Sequence, residues 1–320
     1  MGDGLRVAYV SPFVPPEWLE ACGAEPRRLR PRRDARDAGP ATGACSFARA
    51  TLAAALAGRD ADAFVFATTC DQMRRAAEQA AVAGARTFLL NVPATWQTPA
   101  ALRLYRDELE RLARAVAAWG GRAPTPAGLA SAMRRHEALR EDILAEAARR
   151  GPRAFDRLFA GPGAHEGPDP PAGRRVPLAL VGGPLGAQDA DLVDRIARSG
   201  GAVVLDGTET GARTLPARFD RRRLDAEPLD VLVEAYAGAL PDVSRRPDDP
   251  LYAWLRREVP LSGARGVLLV RPVWCDPWAA HAERITEATG RPVLALDLDG
   301  DGGARPGLDG RIEAFLEMLR

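Results

Sequence analysis

The chain has 320 residues and a formal net charge of +1, from 44 basic and 43 acidic side chains. All 44 basic residues are arginine, which excludes a lysine Schiff base, a pyridoxal phosphate anchor and a P-loop lysine. The near-neutral balance excludes the net basic domain of a typical nucleic-acid protein, and no apolar run is long enough for a transmembrane helix.

The opening MGDGLRVAYV runs straight into an apolar strand, without the basic, apolar and cleavage regions of a signal peptide; the expectation is a cytoplasmic protein. Strands are expected at Val7 to Val10, Ala63 to Ala67, Thr87 to Val92, Leu178 to Val181, Ala202 to Leu205, Val267 to Val270 and Val293 to Leu296. Several are near-continuous apolar runs, as parallel strands covered on both faces require. Helices are expected between them, at Ser46 to Ala57, Asp71 to Ala83, Asp189 to Ser199, Pro277 to Thr289 and Leu308 to Leu319. Residues 100–150 break the alternation with a helical, Arg/Glu/Ala-rich insertion interrupted at Gly120 to Pro126. Gly161 to Gly173, dense in Gly and Pro, reads as a linker. The fold class is therefore α/β, with two doubly wound parallel-sheet domains of flavodoxin or Rossmann type. The first is expected over residues 1–165 with the helical segment 100–150, and the second over 174–320.

The four cysteines are Cys22, Cys45, Cys70 and Cys275, and no CxxC pair occurs. Cys70 follows the strand DAFVFATT and precedes a helix beginning Asp71. Cys275 follows GVLLVRPVW and precedes a helix beginning Asp276. Cys45 sits in GACSF, ahead of the helix FARATLAAALA, which Ser46 is placed to cap. All three lie in loops entering helix N-termini, where partial positive charge and open N–H groups favour thiolates. For Cys70 and Cys275 that loop is also the carboxyl edge of a parallel sheet, where ligands bind. Three such thiolates point to a metal site or an iron–sulfur cluster with one open iron; plain burial of small apolar residues is the alternative. Cys22, within WLEACGAE, reads as a core residue. His281 lies six positions beyond Cys275 and so faces away from it; His136 and His165 complete the histidines.

These residues belong to a longer series of motifs that resembles the 2-hydroxyacyl-CoA dehydratase D-component family, which includes benzoyl-CoA reductase cluster subunits. The series runs almost end to end: VPPEWLEACGAEPRRL, GACSFAR, ATTCDQMRR, NVPATW with YRDELERL, LVGGPL, VVLDGTETGAR, VWCDPWAAHAERI and GRIEAFLEML. The resemblance implies a [4Fe-4S] cluster held between two α/β domains by Cys45, Cys70 and Cys275. It implies syn elimination of water from a 2-hydroxyacyl-CoA through a ketyl radical, a lyase reaction. A separate ATP-dependent activator would supply the electron, and a homologous second subunit would complete a heterodimer. In such pairs one subunit handles the thioester and the other relays electrons. The sequence departs from the family pattern in the GTET stretch, where Gly207 and Glu209 replace an Asp and a Cys or Ser.

Further candidates have plainer readings beside them. Arg27, Arg28, Arg30, Arg32, Arg33 and Arg36 crowd one loop, where they can meet CoA phosphates or an acidic partner, or simply be solvated. Ser46 and Asp71 can hydrogen-bond cluster sulfurs or a bound hydroxyl, or only cap helices. Glu209 is a candidate proton-transfer group in a loop after a strand, or simply a surface loop acid. Trp96, Trp274 and Trp278 can shield a cluster or pack in the core. The leading expectation is a cluster-bearing dehydratase subunit acting catalytically through Ser46 and Glu209. The alternatives are an electron-relay subunit of a benzoyl-CoA reductase-like complex and a non-catalytic α/β binding paralogue.

Overall fold

A computed structural model describes residues 4–32, 43–159, 175–298 and 307–320. The expected linker at 161–173, His165, Arg33 and Arg36 lie outside the described residues. The chain forms two compact units. The first comprises Met1–Leu29, Thr51–Asp142 and Leu215–Asp248; the second comprises Arg30–Ala50, Ile143–Thr214 and Asp249–Arg320.

The first unit is built on a parallel sheet of β1 (Arg6–Tyr9), β2 (Glu25–Arg28), β3 (Ala63–Ala67) and β4 (Thr87–Leu90), in the order β2-β1-β3-β4. Helix α1 (Pro16–Ala21) links β1 to β2, and α3 (Asp71–Val82) links β3 to β4. Between β2 and β3 runs α2 (Ser46–Ala57). Every residue of β3 is buried, which explains its unbroken apolar sequence AFVFA. Beyond the sheet come α4 (Pro99–Ala118) and α5 (Pro126–Arg150), the helical insertion expected from the sequence. Thr98 caps α4 by accepting the Ala101 N–H at 3.1 Å.

Helix α7 (Pro228–Val233) and its flanks return to this unit. Phe219, Leu224, Val231, Leu232, Tyr236 and Leu240 join Val7, Val65, Leu90, Leu109 and Met133 in one buried core. Apolar burial of this kind is the main stabilising contribution, at about 25 cal/mol per Å².

The second unit repeats the arrangement. Its sheet contains β5 (Val176–Gly182), β6 (Gly201–Gly207), β7 (Gly266–Pro272) and β8 (Val293–Leu298), in the order β6-β5-β7-β8. All pairings are parallel. Helices α6 (Leu192–Arg198), α8 (Asp249–Leu261), α9 (Asp276–Ala279), α10 (Ala282–Thr289) and α11 (Leu308–Leu319) complete the element order. Leu178, Leu180, Leu192, Ile196, Leu268, Val270, Ile312 and Leu316 form its core. Both sheets thus follow the 2-1-3-4 order of flavodoxin-like folds, as the α/β alternation predicts.

Three local expectations change. The segment holding Arg27 and Arg28 is the edge strand β2, not a loop. Its Pro26 lacks a donor, which an edge position tolerates. Arg28 is buried, and Arg30 pairs with Asp156 and lies 4.2 Å from the Phe159 ring centroid, so neither is a solvated surface charge. The single helix expected over Pro277 to Thr289 is two, α9 and α10, because the chain turns at Ala280 and His281. The helix expected from Asp189 begins at Leu192, after a 3-10 turn over Ala187–Asp189.

Candidate functional site

In a 2-1-3-4 sheet the first and third strands are neighbours, and the chain leaves their carboxyl ends in opposite directions. The crevice left there is where such folds bind ligands. Each unit has one such edge, and each edge carries a cysteine at the same offset. β3 ends at Ala67 and Cys70 follows three residues later, at the N-cap of α3. β7 ends at Pro272 and Cys275 follows three residues later, at the N-cap of α9. Both thiols are half-buried, and neither side chain caps its own helix. Asp71, expected as a cap, is the first residue of α3 and points its carboxylate outward.

Cys45 precedes α2, and its Sγ accepts the Ala48 N–H at 3.4 Å. The sulfur therefore accepts one of the open N–H groups of a helix start. Ser46 is buried and is the first helical residue rather than the cap. Cys22 ends α1 with no exposure, and burial pushes its thiol up to about 12. It is a core residue. None of the four cysteines is in a disulfide.

The carboxyl edge of the second sheet is organised around Trp278. This indole is fully buried, and its Nε1 donates to Glu209 Oε1 at 3.3 Å. The Arg213 guanidinium lies 5.0 Å from the indole ring centroid and is itself buried. Arg213 donates to the carbonyls of Gly207, at 2.9 Å, and Gly182, at 3.3 Å. Gly183 packs so close that a Cβ there would lie 3.3 Å from Trp278 Cδ1. Loops after β5, β6 and β7 are thus tied to one another. Beneath Glu209, Asp206 accepts both the N–H and the hydroxyl of Thr208. Burial raises the Asp206 carboxyl above its usual range despite those two bonds. His281 is buried at the start of α10, where Nδ1 bonds to the Tyr252 hydroxyl and the ring meets Trp278 edge-on at 6.5 Å.

Trp274, just ahead of Cys275, has φ of 67° and is 67% exposed. Cys275 N donates to Pro272 O at 3.1 Å, so Trp274 occupies the third position of a four-residue turn, the left-handed corner usually given to Gly or Asn.

The first unit has its own buried polar centre. Glu17 is fully buried, pairs with Arg140 and accepts the Tyr236 hydroxyl at 2.8 Å. Tyr105 donates to Phe13 O at 2.6 Å, and Trp18 Nε1 to Leu109 O at 2.7 Å. Burial holds the hydroxyls of Tyr9, Tyr105 and Tyr236 well above the usual phenol range. Arg245 donates to Pro93 O at 3.0 Å and to Ala237 O, and burial lowers its guanidinium to about 10. Trp96 donates to Pro247 O at 2.9 Å. The sequence motifs give no sign of these partners, which lie up to 219 residues apart.

A family model described as 2-hydroxyglutaryl-CoA dehydratase, D-component, matches residues 12–158 and 153–319. The chain belongs to this family. Membership in the D-component family makes the chain similar to a dehydratase component that acts on a CoA thioester. Among curated proteins no sequence matches. Solved structures give only loose likenesses. One is a mutant of the laminin-binding adhesin of Streptococcus agalactiae, 12% identical over 100% of both chains with a TM-score of 0.24. Another is a manganese-bound mutant periplasmic metal binding protein of Candidatus Liberibacter asiaticus, 10% identical over 99% of this chain and 100% of that one, with a TM-score of 0.25. A third is the periplasmic zinc binding protein TroA of Treponema pallidum, 10% identical over 99% of this chain and 98% of that one, with a TM-score of 0.24. Scores this low support no functional statement.

The iron–sulfur cluster that the sequence resemblance implies takes cysteine sulfurs as donors, and three thiols of this chain each stand at a helix start, one of them accepting a backbone N–H. Cys45 and Cys275 belong to the second unit and Cys70 to the first. Among the described residues, no three His, Cys, Asp or Glu side chains form a group that could hold a metal ion. No described helix is long and apolar enough to cross a membrane.

Proposed function

We propose that this D-component chain is the [4Fe-4S] subunit of a 2-hydroxyacyl-CoA dehydratase-type lyase, with Cys45, Cys70 and Cys275 as the cluster ligands. The observation that carries the reading is the matched placement of Cys70 and Cys275. Two sheets of one topology each put a half-buried thiol three residues past the third strand, at the edge where this fold class binds ligands. When bound, the cluster supplies single low-potential electrons and an open iron site for the thioester oxygen.

The chain's own residues hold that chemistry in place. The Ala48 backbone N–H at the start of α2 stabilises charge on the Cys45 sulfur. Ser46, next to Cys45 and buried at the same helix start, is the residue this reading assigns to hydrogen-bond a cluster sulfur or a bound hydroxyl. Glu209 stands beside the first turn of the helix that Cys275 begins. In this reading a separate activator drives the electron transfer with ATP, a division of labour with which the absence of a P-loop lysine agrees. A homologous second subunit shares the reaction, and the complex works in the cytoplasm.

Anaerobic reconstitution tests the reading. The expected product is brown, with about four irons per chain, and Cys70→Ser loses the colour. A colourless, iron-free chain after reconstitution overturns it. A shift of the visible absorption on adding an acyl-CoA assigns the thioester-handling role; an unmoved spectrum assigns electron relay.

A further inference from the structure

Glu209 was expected as a proton-transfer group, yet its carboxylate is engaged at the carboxyl edge of the second sheet. We propose that Glu209 is a positioning residue, which sets the place of Cys275 through Trp278. The inference rests on the reading of Cys275 as a cluster ligand, and its geometry lies wholly within one compact unit.

Cys275 is the N-cap of α9 and Trp278 is the third helical residue after it, so the two move as one turn. Ala279 N donates to Cys275 O at 3.0 Å and closes that turn. The turn is short, and its own backbone hydrogen bonds hold it weakly. What fixes it is the indole. Trp278 has no exposure, so its N–H must find an acceptor inside the protein or leave a buried donor unpaired. Glu209 Oε1 is that acceptor, at 3.3 Å.

The acceptor is itself held. Glu209 N donates to Gly183 O at 3.4 Å, so the Glu209 backbone is moored to the loop after β5. Arg213 covers the indole face and grips the carbonyls that end β5 and β6. His281, engaged by Tyr252, meets the indole edge-on with ring centroids 6.5 Å apart. A carboxylate oxygen fixed from the β5 and β6 side therefore decides where the α9 turn, and with it the Cys275 sulfur, rests. For this job Glu209 needs an acceptor oxygen, not a titrating proton. Gln supplies the same oxygen and Ala supplies none.

The test uses the full chain, iron-free and under anaerobic conditions, with iodoacetamide as probe and peptide-level mass spectrometry to read each cysteine separately. Glu209→Ala and Trp278→Phe are each expected to change the Cys275 alkylation rate by about three- to tenfold, the factor matching one net hydrogen bond. The double variant is expected to match the single ones, since both remove one interaction. Glu209→Gln is expected to restore the wild-type rate. Cys22, buried in the other unit, reports that the fold is intact by staying unreactive throughout. The proposal is overturned if Glu209→Gln behaves like Glu209→Ala, which would assign the role to charge. It is equally overturned if Cys275 reacts at the wild-type rate in all variants. Iron is absent from this measurement, so a wild-type chain that fails to bind iron on reconstitution would refute the cluster reading alone and leave the alkylation result standing.

Discussion

Gly182 ends β5 with φ of 143°, a conformation that side chains rarely adopt. A Cβ built there would lie 1.8 Å from Val270 O, a backbone atom of the neighbouring strand. Even a 3.0 Å approach, which real Cβ atoms essentially never undercut, requires the two strands to part by roughly 1.2 Å. Gly183 N donates to that same oxygen at 2.9 Å, so the retreat breaks a buried hydrogen bond. Gly182→Ala therefore combines about 1–3 kcal/mol of backbone strain with about 1–3 kcal/mol for the orphaned donor. The expected cost is about 2–6 kcal/mol, read as a lower urea midpoint for loss of circular dichroism. Gly290→Ala is the matched control. Its φ is 60°, but no atom lies within 4 Å of the added Cβ, so about 1 kcal/mol is expected. Equal midpoints for the two variants, or a Gly182→Ala cost under about 1 kcal/mol, would refute the argument from close approach.

Arg140→Met leaves the fully buried Glu17 carboxyl without its ion-pair partner, and should destabilise the first unit by about 3–5 kcal/mol in urea denaturation; adding Glu17→Leu should recover most of the loss. Asp206 titrates above its usual range because it is buried, so the folded state holds that proton more tightly than the unfolded chain. Its contribution is fully present below the unfolded carboxylate value of about 3.9 and fades as pH rises through the raised folded value. Asp206→Asn should remove that decline, so wild-type and variant urea midpoints should diverge with rising pH; parallel curves would show that Asp206 does not titrate in this way. At about pH 8, iodoacetamide should label Cys70 and Cys275 in the native chain while Cys22, with its thiol pushed up to about 12, reacts only after unfolding.

The elements most legible in the sequence were those whose own pattern suffices. β3 is AFVFA, buried throughout, and it falls at the expected bounds, as do α2 and α11. The positions of Cys70 and Cys275 were equally readable, because a strand, a short loop and a helix start are local features. β2 was not, since Glu25-Pro26-Arg27-Arg28 shows neither alternation nor an apolar run. It is a strand because β1 offers it an edge. Residues 215–248 were passed over, although Phe219, Leu224 and Tyr236 complete a core whose sheet ends at Leu90. Periodicity records which face of an element is apolar, not which distant surface covers it. The same limit hid Trp278 from Glu209, 69 residues away, and Tyr236 from Glu17.

The common 2-1-3-4 order of the two sheets bears on how such a chain can change over evolutionary time. Two copies of one architecture inside a single polypeptide inherit together but mutate apart. A substitution in the loop after β6 leaves the corresponding loop after β2 untouched, so one copy can hold a thiol there while the other exchanges its residue for a carboxylate. Cys45 and Glu209 stand in those two loops. An assembly of two identical chains would have to accept every such change twice.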